Sequence, residues 1–470
     1  MRHVSRPTTP CQRWRLMLAA LGSCVALAGC HRSTPPNILL YVVDTLRFDG
    51  VHCNGNDGVQ TPAMDRLAHD GVRFTRAYAN ASWTRASMGS LLSGEYPSTH
   101  GAVGRADGLR EGIVTLPARL HALGYRTAAI IANPNIGSTF GFASGFDEFI
   151  ELYRPHRGHK VVRPEQLIAT ADQVVDRAQE WLRRNPARPF FLLVFTIDPH
   201  APYTPPAPYD SMYDPDYRGI VDGSFKSLLA LAIMGKIPPE REIRHLRALY
   251  HGETTFNDAQ LNRLLATVDD QALADSTLVT VTADHGEEFY EHGGRDHGHS
   301  LYEELIHVPL IMRWPRSIAA GTVVSGPVQL ADLYPTLLRF AGATPAGGAG
   351  RDLSGLIAHD SSNPVASTVY AEENLDGHTL QAVVVGARKL IIDAAQPQPL
   401  AFDLAQDPGE LHPLPSGPPQ DLLATLREVQ ARNQPPRTST PRQIGQADVP
   451  ESVRQAMDAL GYGEPTRAPQ

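Results

Sequence analysis

The stretch Asn37-Ile-Leu-Leu-Tyr-Val-Val-Asp44 is an almost unbroken apolar run that ends in a carboxylate. A strand reads this way when both of its faces are buried, as in a parallel sheet. The runs Arg126 to Asn133, Phe190 to Asp198, Thr277 to Asp284 and Val308 to Met312 repeat the pattern. Helical spacing lies between them, over Pro62 to Asp70, Leu116 to Leu123, Pro164 to Arg184, Arg241 to Val268 and Val328 to Ala341. Strands alternating with helices predict an α/β fold, with a large mixed or parallel, doubly wound sheet sandwiched by helices. Ligands of such sheets sit beyond the carboxyl ends of the strands. Asp44, Asp198 and Asp284 stand there.

The pattern changes near residue 342, where Gly, Ala and Pro crowd a linker-like stretch. Beyond it, Ser367 to Ala371, Leu380 to Val385 and Lys389 to Asp393 read as short strands of a small antiparallel sheet. Gln434 to Pro441 reads as irregular and Glu451 to Leu460 as a final helix. The expected organisation is a main domain over 37–345 and a C-terminal subdomain with tail helix over 346–470. Of the 470 residues, 42% are hydrophobic and 20% charged, which excludes collagen-like, coiled-coil and wholly disordered chains. The net charge is −8 and no long basic run occurs, so a nucleic-acid groove is not expected.

The first 29 residues read as an address. Arg2, Arg6, Arg13 and Arg15 precede an apolar stretch from Leu16 to Gly29, too short to span a bilayer comfortably. It closes on Leu27-Ala28-Gly29-Cys30, which resembles the lipobox of bacterial lipoproteins. The resemblance implies a signal peptide over 1–29, lipid on Cys30, a tether over 30–36, and an exported, membrane-anchored protein of the periplasm or cell surface. Cleavage removes four positive charges and takes the net charge from −8 to −12. Cys11 and Cys24 leave with the signal, so only Cys53 remains as a thiol and no internal disulfide is available. No later apolar run reaches the length of a transmembrane helix.

Four segments carry residues suited to chemistry. Asp44 ends a strand, where Asp serves equally as a turn residue. Asp284-His285-Gly286-Glu287 ends another, and a carboxylate beside an imidazole suits a divalent metal. His292 and Asp296-His297-Gly298-His299 follow closely. Thr84 precedes an apolar run, either as a helix cap or as a nucleophile at a helix N-terminus. His200 lies among prolines after a buried strand, placed rigidly enough to donate a proton or touch a phosphate.

Several of these segments occur in a recognisable order. They are Val43-Asp44-Thr45-Leu46-Arg47, Thr61-Pro62-Ala63-Met64-Asp65-Arg66-Leu67-Ala68, and the Thr84 segment ending Leu92-Ser93-Gly94-Glu95-Tyr96-Pro97. Asp198-Pro199-His200, Asp284-His285-Gly286-Glu287-Glu288, His297-Gly298-His299-Ser300-Leu301-Tyr302 and Ala459-Leu460-Gly461-Tyr462 follow. Together they resemble the sulfatase branch of the alkaline-phosphatase-like superfamily over nearly the whole mature chain. The resemblance implies that Asp44, Asp284, His285 and Thr84 bind one divalent cation, and that Thr84 occupies the nucleophile position. It implies that His200 and His297 contact the ester oxygens or protonate the leaving group, with Arg85, Tyr203 and His299 as substrate contacts. His100 and Arg105 are further candidates, and no counterpart is matched for the family's Asn and Lys positions.

The departures redirect the chemistry. Sulfatases carry Cys or Ser at the nucleophile, converted to formylglycine, within a motif continuing x-Pro-Ser/Ala-Arg. Here the segment is Thr84-Arg85-Ala86-Ser87-Met88. Threonine is not the residue that maturation oxidises, so formylglycine is not expected. A sulfated threonine cannot expel sulfate by re-forming an aldehyde, whereas a phosphothreonine opens by in-line attack at phosphorus. Thr45 replaces a second Asp of many relatives, which suits one metal; Mn, Zn, Mg or Ca fit, and the imidazole favours Mn or Zn. The expected activity is metal-dependent hydrolysis of phosphate-type or sulfate esters, with phosphodiesters and phosphonates ahead of sulfates. Its rivals are a phosphoryl-group transferase acting on envelope glycan or lipid, and a binding lipoprotein without catalysis.

Overall fold

The apolar runs form the centre of a nine-stranded mixed sheet. The computed structural model describes residues 35–153, 167–184, 189–233, 237–345, 347–358, 367–433, 442–445 and 448–462. The expected signal peptide over 1–29, Cys30 and the expected tether up to residue 34, and the stretch Gln434 to Pro441 expected to be irregular lie outside them. Among the described residues no helix is long and apolar enough to cross a membrane.

The strands of this sheet are β1 (Asn37–Val43), β2 (Val72–Tyr78), β3 (Arg126–Ile131), β4 (Glu148–Glu151), β5 (Phe190–Thr196), β6 (Thr277–Ala283), β7 (His307–Arg313), β8 (Thr322–Val324) and β9 (Val328–Gln329). Their order is β8-β2-β7-β6-β1-β5-β3-β4, with β9 also on β2. β6, β1, β5, β3 and β4 run parallel, and β7 is antiparallel to both β6 and β2. Every residue of β1, β5 and β6 is buried, as continuous apolar runs require. β2 departs from that signature because Arg73, Thr75 and Arg76 are only half-buried, so it reads as an alternating strand.

The main helices are α1 (Pro62–His69), α2 (Thr84–Ser93), α3 (Ala171–Arg184), α4 (Glu240–Asp270), α5 (Leu333–Phe340), α6 (Gln420–Arg432) and α7 (Glu451–Ala459). The expected Val328 to Ala341 helix begins later, at Leu333. Val328 and Gln329 pair with Ala77 and Tyr78, and a reciprocal cap between Gln329 and Asp332 starts the turn that follows. α3 begins at Ala171, whose N–H donates to Asp198 Oδ2 at 2.7 Å.

The small sheet is a four-stranded antiparallel meander: β10 (Thr368–Leu375), β11 (His378–Val385), β12 (Arg388–Asp393) and β13 (Leu400–Asp403). It does not stand apart, since residues 36–470 form one compact unit. Glu372 N donates to the Asn80 carbonyl at 2.9 Å, and Asn80 Nδ2 to the Tyr370 carbonyl at 2.8 Å. Lys389, fully buried, reaches Glu303 and Glu410 at 3.0 Å each.

Candidate active site

Because β1, β3, β5 and β6 are parallel neighbours, their carboxyl ends meet along one edge. Asp44 and Asp284 directly follow β1 and β6, and Asn133 follows β3; all three are fully buried. Thr84 opens α2, all ten residues of which are buried. Ser87 Oγ donates to the Asp284 carbonyl at 2.5 Å and fixes this helix to the end of β6. The first N–H groups of α2 have no intrahelical partner, and the helix dipole favours negative charge at its first residue.

His285 Nδ1 donates to the Gly286 carbonyl at 2.9 Å, which leaves the lone pair on Nε2. That Nε2 lies 3.3 Å from Thr84 Oγ1, 3.3 Å from Asp284 Oδ2 and 4.0 Å from Asp44 Oδ1. Asp44 Oδ1 and Asp284 Oδ2 are buried without a hydrogen-bond partner. The other two carboxylate oxygens are satisfied. Asp44 Oδ2 accepts from Asn133 Nδ2 at 2.6 Å, and Asp284 Oδ1 accepts from Thr45 N at 3.1 Å and His285 N at 2.9 Å. Thr45 adopts φ 55°, a costly left-handed conformation for a β-branched residue, at the turn that aims its N–H at Asp284. Burial, then the charge of Asp284, pushes the Asp44 carboxyl well above the usual carboxylate range. Burial also raises Asp284, against the pull of His285.

Two unpartnered carboxylate oxygens and an imidazole lone pair facing one another fit a cation. The spacings of 3.3 to 4.0 Å agree, because such distances are the edges of a coordination shell about 2.1 Å in radius.

A second group faces Thr84. His200 Nδ1 donates to the Ala201 carbonyl at 2.6 Å, and its Nε2 lies 2.7 Å from Tyr462 Oη. His297 Nε2 lies 3.1 Å from the same oxygen, and its Nδ1 lies 2.9 Å from Glu287 Oε1. The His297 ring stands 4.4 Å from that of His285 and 5.1 Å from that of His200. Burial, with His285 adding repulsion, lowers His200 to about 4. Burial and the neighbouring imidazoles hold His297 well below the usual range, and burial pushes Glu287 well up. A larger cavity of about 650 Å³, lined by Arg47, Arg76, Tyr78, Glu303 and His307, contains none of these residues.

The family profile described as Sulfatase matches residues 36–343. The chain belongs to the sulfatase family. It is an ester hydrolase of the sulfuric or phosphoric type, and enzymes of the family use a metal ion. The N-sulphoglucosamine sulphohydrolase C-terminal profile matches residues 290–428. An arylsulfatase of Clostridium perfringens (strain 13 / Type A) is 26% identical over 431 residues, covering 80% of this chain and 89% of that protein. A structure solved with D-glucosamine-2-N,6-O-disulfate superposes at TM-score 0.72, with 21% identity over 85% of this chain and 98% of the other. The phosphonate monoester hydrolase of Agrobacterium radiobacter superposes at 0.67, with 22% identity over 84% and 94%.

In this sulfatase-family chain the fold brings together Asp44, Thr84, Asp284 and His285, and sets His200 and His297 opposite them. The three expected substrate contacts are engaged elsewhere. Arg85 is fully buried over the Phe140 ring, and its guanidinium donates to the carbonyls of Gly104, Arg105, Asp107 and Asn135 and to Asn135 Oδ1. One residue on from Thr84 is a rotation of about 100° around the helix, so Arg85 leaves α2 on a different side from Thr84. His299 bonds Glu288 Oε2 at 2.7 Å, and Tyr203 packs against Tyr250 and Phe289 with its hydroxyl toward Glu287. His100 lies behind α2, its Nε2 donating to the Ala86 carbonyl at 3.0 Å. Arg105 pairs with Asp376 and donates to the Tyr462 carbonyl at 3.2 Å. Asn133 and Tyr462 are site residues that the sequence reading assigned no role. Asn133 ends an apolar run as Asp44 does, and that shared signature could have found it.

Proposed function

We propose that this chain is an exported, lipid-anchored hydrolase that cleaves phosphodiesters or phosphonate monoesters in preference to sulfate esters, with Thr84 as nucleophile. One observation carries the reading. The residue at the nucleophile position is a threonine at the N-terminus of α2, with its hydroxyl 3.3 Å from His285 Nε2. The likeness to a phosphonate monoester hydrolase supports phosphorus chemistry on this fold.

A divalent cation held by Asp44, Asp284, His285 and Thr84 would polarise the ester and favour the Thr84 alkoxide. The chain supplies the rest. Asn133 holds Asp44 Oδ2 and sits 3.5 Å from Thr84 Oγ1, which orients both. Thr84 Oγ1 bonds to phosphorus and the bond to the leaving oxygen breaks. Water then attacks phosphorus and frees Thr84. His200 and His297 face the space where the ester oxygens lie.

The test offers an aryl phosphate monoester, a phosphodiester, a phosphonate monoester and a sulfate to the chain from residue 31 onward, with Mn or Zn. Diester or phosphonate turnover is expected, absent in Thr84→Ala while metal binding persists. Sulfate turnover alone, or full activity in Thr84→Ala, would contradict the reading. Silence on all four substrates with metal bound would favour a transferase that needs its own acceptor.

A further inference from the structure

The described chain ends with Tyr462 inside the active site. After α7, Gly461 turns the backbone at φ 80°, and Tyr462 N donates to the Met457 carbonyl at 2.9 Å. Arg105 holds the Tyr462 carbonyl at 3.2 Å, and the phenol ring stands edge-on to Trp83, the residue before Thr84. Two cavities border the arm. One of about 330 Å³ is lined by Arg105, Arg295, His297 and Tyr462; the other, of about 340 Å³, by Asp198, Thr204 and Glu253; His200 and Leu460 border both.

The hydrogen bonds around the phenol have one consistent direction. His200 Nδ1 faces a carbonyl, which only accepts, so it carries the proton and Nε2 is an acceptor. The one phenol proton therefore goes to His200 Nε2 at 2.7 Å. Tyr462 Oη then accepts from His297 Nε2 at 3.1 Å, with Glu287 behind His297 Nδ1 at 2.9 Å. The result is a directed chain from Glu287 through His297 and Tyr462 to His200, with the Tyr462 hydroxyl itself beside that of Thr84.

We propose that Tyr462 is the catalytic residue that protonates the departing ester oxygen. This rests on the Thr84 hydrolase reading. As Thr84 Oγ1 bonds to phosphorus, its proton passes to His200 Nε2. The bond from phosphorus to the leaving oxygen breaks, that oxygen takes the Tyr462 proton, and His297 Nε2–H replaces it as Glu287 passes its own proton to His297 Nδ1. When water later attacks phosphorus, His200 returns its proton to Thr84 Oγ1. The proton lost by water passes through Tyr462 to His297 Nε2, the Nδ1 proton returns to Glu287, and the cycle closes with no net change.

The test compares the purified protein with Tyr462→Phe, which keeps the ring against Trp83. Esters of alkyl alcohols should lose about 10²–10⁴-fold in kcat, as for loss of a general acid. Nitrophenyl esters, whose oxygen leaves without a proton, should change only a few-fold. Equal losses for both ester types would overturn the proposal, and faster turnover in the variant would make the arm a plug instead. Orthovanadate binding is the second readout, with about tenfold weakening expected in Tyr462→Phe. If the unsubstituted protein hydrolyses no ester, the hydrolase reading fails and vanadate alone decides for Tyr462. Weakened binding supports its contact with the reacting centre, and unchanged or tighter binding overturns it.

Discussion

At the scale of single residues, the site depends on which polar atoms are left without partners. Asn133 satisfies one oxygen of Asp44 and leaves the other toward Asp284 and His285. Asn133→Ala frees the Asp44 side chain and removes a donor beside Thr84. We expect kcat to fall about 10–100-fold with folding intact, as for loss of a residue that orients a metal ligand. An unchanged kcat with unchanged metal affinity would contradict this role. Asp44, Asp284 and His285 were legible in the sequence because a charged residue that closes a buried strand is conspicuous. Arg85 misled, since a charge beside Thr84 resembles a substrate contact until the helix rotation is known. Tyr462 stood in a quoted motif without a role, because its meaning depends on a contact with His200 across 262 positions.

At the scale of elements, the strands were legible and the caps were not. α1 begins with Pro62, and the preceding Thr61 makes no side-chain cap. The cap comes from α4, where Asp258 Oδ2 and Oδ1 accept from Ala63 N and Met64 N at 2.9 Å each. No local pattern announces a cap that far along the chain. Burial pushes the Asp258 carboxyl up to about 7. Its folded value lies above the unfolded value of about 3.9, so its share of stability is present in acid and lost as pH rises through about 7. Thermal unfolding across about pH 5 to 8 should show a midpoint that falls with pH, and Asp258→Asn should flatten that slope. An identical slope in the variant would place the dependence on other groups. The late start of α5 and the strand β2 were missed for related reasons: an edge pairing replaced a helical turn, and half-buried arginines broke the apolar signature.

At the scale of the whole molecule, the C-terminal sheet is joined to the main sheet by buried polar contacts rather than by a linker. Ser82, two residues before Thr84, donates from N and Oγ to Glu373 of β10 at 3.1 and 3.3 Å. The small sheet therefore buttresses the Thr84 segment, and α7 brings Tyr462 to it. The proposed anchor lies at the opposite terminus. A fatty-acid label should mark the intact protein in cells and not Cys30→Ala; equal labelling of both would rule out lipid on Cys30. The most direct measurement is peptide mapping of the enzyme quenched in acid during turnover of a phosphodiester or phosphonate monoester. A phosphorus ester on Thr84, absent from Thr84→Ala, is the expected result. Turnover with Thr84 unmodified and the adduct on another residue would contradict the nucleophile on which the whole mechanism rests.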